Sequence, residues 1–179
     1  MMLSRDERAT LLDAARPLAR LAFGLVVVLS PFRARIELAA RPRPPLYGDY
    51  TDFLLFWSDI AVLLTLGLWA ISLAARRRPI SVGPLVLALP VAGLLTVAWL
   101  GVPFAVDPAL AAYTGVRLLV LAALALYVLN EFTGLRQLRV PLAVLIVSQA
   151  AVVVAQLVGQ QSIGLGGLGE HVLAPSLPV

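Results

Sequence analysis

The chain has 179 residues, 60% of them hydrophobic and 13% charged, with a mean hydropathy of +0.93; soluble domains carry about 25% charged residues, so an ordinary soluble fold is excluded. The formal charge is +4, yet all 14 basic residues are arginines set mostly at the edges of apolar runs, a pattern that fits the positive-inside rule and not the continuous basic face of a nucleic-acid binder. Without cysteine, and with His171 as the one histidine, disulfides, thiolate metal sites and a histidine metal cluster are excluded as well.

Residues 1–16 read as a cytoplasmic N-terminal segment. Five apolar runs follow, at about 17–38, 53–75, 83–106, 108–130 and 140–159. Each approaches the ~20 residues that a helix needs to cross hydrocarbon, and all are too long for barrel strands. The expected fold is therefore all-α, a polytopic transmembrane bundle of about five spans.

The first run is the weakest. Its apolar core, Leu21 to Phe32, is short and lies between Arg20 and Arg33, which can snorkel to opposite interfaces. A cleaved signal peptide is the competing reading. Asp6, Glu7 and Asp13 argue against it, as does the lack of a small-x-small site after Ser30.

The second run opens with Tyr47, Tyr50, Phe53, Phe56 and Trp57, an interfacial aromatic belt. Thr51 or Asp52 is the expected helix cap. Asp49 and Asp52 read as solvated loop carboxylates. Asp59 is different: in a helix starting near Phe53 it lies roughly 10 Å along the axis, and an acid there needs a partner or a path to water.

Arg76, Arg77 and Arg78 fill the next short loop. With the N-terminus inside, nine arginines fall on the cytoplasmic side against four outside, Arg117 being left within a span. In the third run Pro84 suits a helix start and Pro90 interrupts the interior. In the fourth, Asp107 can cap and Pro108 can take the first helical position. Arg117, some turns in from the same outer face, is the natural partner for Asp59. The fifth carries Ala151, Ala155 and Gly159 at four-residue spacing, a face for close helix contact. Gln149 and Gln156 on a neighbouring stripe read as polar ties between helices.

Residues 160–179 form a Gly- and Pro-rich tail expected to face outward, as the start of a loop region. Its GLGGLG, from Gly164 to Gly169, lacks the flanking strand and helix of a dinucleotide site. Nothing in the chain forms a Ser–His–Asp set, a metal cluster or a phosphate-binding loop.

Several stretches together resemble the N-terminal part of the bacterial O-antigen ligase and O-antigen polymerase family. They are the Ser58–Asp59 pair in the second run, the AVDPALA turn with Arg117 in the helix after it, and the IGLGGLGE tail. The resemblance covers nearly the whole chain but only the first third to half of a family member. It implies a glycosyltransferase of the bacterial inner membrane that moves a glycan from an undecaprenyl-diphosphate carrier on the outer face, with no metal or nucleotide sugar as cofactor. The family's essential arginines and histidine lie mainly in a later outer loop, so no catalytic residue carries over and His171 does not map onto the catalytic histidine. Asp59 and Arg117 are left as a polar pair, either structural or part of a carrier site. The expected partners are membrane lipid and the carrier-linked glycan. A non-enzymatic membrane protein, such as an assembly partner or transporter subunit, is the alternative, and the oligomeric state is left open.

Overall fold

The computed structural model describes residues 5–32, 34–41, 52–76 and 79–159. Five helices dominate: α1 (Arg5–Leu29), α2 (Trp57–Arg76), α3 (Leu85–Gly101), α4 (Pro108–Glu131) and α5 (Arg139–Gly159). Short 3-10 turns at Val102–Phe104 and Leu135–Leu138 link the later ones. Among the described residues, four helical stretches are long and apolar enough to cross a membrane: Trp57–Ala74, Leu85–Phe104, Pro108–Glu131 and Arg136–Gly159. The chain thus has the makings of a multi-pass membrane protein with four such helices, one fewer than the sequence suggested.

The difference lies in the first run. The helix there starts earlier than residue 17 and stops at Leu29, not near 38. Pro31 disfavours helical backbone at the residue before it, and Ser30 closes the last turn, its hydroxyl donating to the Val27 carbonyl. The chain then becomes strand β1 (Arg35–Ala39), paired antiparallel with β2 (Phe53–Phe56). The register sets Arg35 against Phe56 and Ala39 against Phe53, with an irregularity between Glu37 and Ala39. The fold is therefore not purely α-helical.

The hairpin also corrects the second run. Residues 53–56 are strand, and α2 begins at Trp57. Asp52 does not cap it; its carboxylate accepts the Arg41 backbone N–H at 2.6 Å. Thr51 lies outside the described residues, as do the tail, its glycines and His171. The Asp107 cap is present, accepting from the Leu110 N–H at 3.2 Å with Pro108 in the first helical position.

The tightest packing is between α1 and α2. On α1, Ala15, Ala19, Ala22, Phe23 and Val26 are buried, the spacing of one helical face. Three of them are alanines, which let the partner backbone come close. From α2 come Ala61, Val62, Thr65, Trp69 and Ser72. Thr65 is buried safely because its hydroxyl donates to the Ala61 carbonyl at 2.8 Å. Tyr127 of α4 completes this core, its ring 5.5 Å from Phe23 and 5.7 Å from Trp69.

Outside that core the structure is open. Neither α3 nor α5 contains a buried residue. Two pins hold α3 to α4. At one end Gly115 lets the Trp99 ring approach, and a methyl placed there would lie 3.3 Å from it. At the other, Asn130 donates to the Ser81 carbonyl and accepts from the Ser81 N–H, both at 2.8 Å. Gly83 beside it has φ +80, which its lack of a side chain permits.

Candidate functional site

Charged groups gather in two layers along α4. The first lies where the hairpin meets the helix. Asp59 occupies the first turn of α2, not a position two turns in, because that helix starts at Trp57. Its Oδ2 accepts the Phe56 backbone N–H at 3.0 Å, which satisfies one of the helix's open donors from the third helical position. Arg117 donates through Nη2 to both carboxylate oxygens, at 3.1 and 3.2 Å. The two residues that the sequence set aside as a polar pair are thus in contact.

Arg117 is held on its faces as well as its edge. Its guanidinium lies 5.1 Å from the centre of the Phe56 ring and 5.7 Å from that of Tyr113, within range of cation–π attraction. Tyr113 in turn donates its hydroxyl to the Leu54 carbonyl. Further out, Arg41 pairs with Asp107 at 2.9 Å and covers the Phe53 ring. Each turn of α4 from Asp107 to Arg117 therefore grips one level of the hairpin.

These contacts leave a cleft of about 420 Å³ between β2 and α4, within the usual range for ligand sites. Asp52, Phe56, Tyr113, Thr114 and Arg117 supply its polar and aromatic lining. The Arg117 side chain keeps 40% of its surface exposed. Its Nη1 donates to the Tyr113 hydroxyl at 3.4 Å, and the exposed part of the guanidinium can meet a ligand. Asp52 adds an acceptor in the same wall.

A larger, apolar groove of about 780 Å³ runs between α3 and α4 with Phe23 at its side. Leu121 lines both the groove and the polar cleft, so the two adjoin.

The second charged layer was not anticipated. Glu131, at the end of α4, has a side chain only 6% exposed and accepts from Arg16 Nε at 2.6 Å. Arg20 reaches the same carboxylate at 3.6 Å and the Glu131 backbone carbonyl at 3.1 Å. Arg16 and Arg20 are four apart, each next to a buried alanine, so both lean on one face; the four-residue spacing alone does not point to Glu131. From Arg117 to Glu131 is unbroken helix, fourteen residues or roughly 21 Å.

Gln149 and Gln156 are half-buried on α5, which packs on α1, away from the cleft. Among the described residues no group of three or more His, Cys, Asp or Glu side chains could hold a metal ion. Compared with protein-family models, curated proteins and solved structures, the chain finds no match in any of the three.

Proposed function

We propose that the chain is the N-terminal membrane portion of a glycosyltransferase like the O-antigen ligases and polymerases, acting on a glycan carried by undecaprenyl diphosphate in the bacterial inner membrane. One observation carries this reading: a polar cleft built around Arg117 adjoins an apolar groove at Leu121. A lipid-linked glycan has the matching chemistry, with a charged head, sugar hydroxyls and a long hydrocarbon tail.

The side chains fit those parts. Arginine recognises phosphate oxygens through its planar set of donors, and Asp59 fixes the guanidinium while leaving part of it open. Asp52 and Thr114 can hydrogen-bond to hydroxyls. In this reading α1 also crosses the membrane beside α2, so that the N-terminus is cytoplasmic and the cleft opens on the outer side, where the arginine count is lower. The catalytic groups are supplied from outside the described residues.

The test is made in the bacterium that encodes the protein. With Arg117→Ala, long-chain surface polysaccharide is lost and its carrier-linked precursor accumulates, while the protein stays at normal abundance in the membrane. Normal polysaccharide in that strain overturns the carrier role. A second reading, an assembly partner, draws on α3 and α5, which bury nothing within the chain. It predicts co-purification with another membrane protein and no accumulation of precursor.

A further inference from the structure

We infer that the groove between α3 and α4 seats the hydrocarbon tail of the lipid whose head lies at Arg117, with Leu121 at the junction. The inference rests on the carrier reading above and adds a location for the tail.

The groove is a fixed opening. Its two helices are joined at both ends, by the Trp99 ring on Gly115 and by the Asn130–Ser81 hydrogen bonds next to Gly83. Between those joints lies Pro90, which removes one hydrogen bond from the middle of α3 and pushes the preceding turn aside. Pro90 lines the groove, and the lining includes the small residues Ala88 and Ala92 of α3 and Ala122 and Ala125 of α4. Packed membrane helices normally fill such a space with side chains. Here four alanines in the lining leave part of it open.

The geometry also selects the occupant. A helix about 10–12 Å wide would have to force apart two helices tied at both ends. A single flexible chain need not. Every residue lining the groove is apolar, so an occupant gains nothing there from polar groups, and an unsatisfied polar group would be costly. The polar end of the ligand must leave the groove. It does so past Leu121, where Arg117 lies one helical turn away on the same face of α4.

The experiment uses the purified full-length protein in phosphatidylcholine–phosphatidylglycerol nanodiscs, with a polyprenyl diphosphate carrying a photoreactive group in its tail. Labelled residues are located by mass spectrometry. Labels are expected on 87–95 and 121–129. Ala125→Trp and Ala88→Trp, which fill the groove from opposite walls, should each lower labelling about tenfold, the result of losing ~1.4 kcal/mol of binding. Two walls are tested because one variant alone could fail to fold, and circular dichroism checks each.

The outcomes separate the two claims. Lipid labelling lost in both tryptophan variants, with inorganic diphosphate binding kept in both and lost in Arg117→Ala, supports the tail seat. Unchanged lipid labelling in folded tryptophan variants overturns the tail seat and leaves the Arg117 reading standing. Labelling that ignores Arg117→Ala overturns the carrier reading and, with it, the junction at Leu121. Protein–protein cross-links through the groove identify a second copy as the occupant and overturn the inference.

Discussion

Asp59 serves two groups at once, and its variants separate them. It accepts the Phe56 N–H and pairs with Arg117. Asn can still accept that N–H but cannot balance the cation; Ala does neither. Asp59→Ala is therefore expected to cost about 1–2 kcal/mol more than Asp59→Asn, read by unfolding in detergent micelles. Replacing both Asp59 and Arg117 by leucine removes the charge problem but leaves the Phe56 N–H without its acceptor, so rescue should be partial. Full recovery would show that the cap contributes nothing. Glu131 is the more sensitive acid, because it is nearly buried between two arginines. Glu131→Gln should destabilise by about 1–3 kcal/mol, the upper end being reduced because Arg16 and Arg20 keep some contact with water. The reverse holds for Tyr127. Its ring is fully buried and its hydroxyl has no hydrogen-bond partner among the described residues, so Tyr127→Phe should be neutral or raise stability by about 1 kcal/mol. A clear loss would mean that the hydroxyl has an acceptor. Of these residues, Asp59 and Arg117 were legible in the sequence because a charge inside an apolar run is anomalous. Glu131, Arg16 and Arg20 were not, since charges at the ends of runs are what any membrane helix displays.

Among the elements, α3 depends on the contact of its Trp99 ring with Gly115. A larger residue at Gly115 meets the Trp99 ring. Gly115→Val should cost about 1–3 kcal/mol, and the loss should shrink when Trp99 is also replaced by Ala; equal losses in both backgrounds would exclude the ring as the cause. The apolar lengths of α2, α3, α4 and α5 were readable because hydropathy and span length are both set by the bilayer. Helix α1 and the hairpin were harder. Total hydropathy hides α1, since its buried face consists largely of alanines spaced along an otherwise charged helix. In the hairpin, Arg35, Ile36, Glu37 and Leu38 alternate charged and apolar, a two-residue period characteristic of strands. That signal is four residues long and follows an apolar run, so the run's hydropathy masked it. Pairing with 53–56 could not be read locally, because a contact between distant strands depends on register and on what α4 offers beneath them.

At the scale of the whole molecule, orientation is the first expectation to check. With the arginine-rich loop at 76–78 inside, a reporter inserted at Ser81 should be active in the cytoplasm and one fused after Gly159, three spans later, active outside it. The opposite pattern would reverse the arginine argument. The spacing of the two charged layers has a separate consequence. Roughly 21 Å of helix separates Arg117 from Glu131, whereas the hydrocarbon of an ordinary bilayer is about 30 Å thick. The hairpin side of the protein is thus hydrophobically too short for its surroundings, and the mismatch falls on one flank. Lipids there must either dip toward the cleft or admit water to it, and each route has a modest cost per ångström of mismatch. The protein should therefore be most resistant to unfolding in phosphatidylcholine vesicles of short monounsaturated chains and less so as the chains lengthen. Arg117→Leu should flatten that dependence, since it extends the apolar surface of α4 toward its N-terminal end. In a membrane of graded thickness, the wild-type protein would collect in the thin regions.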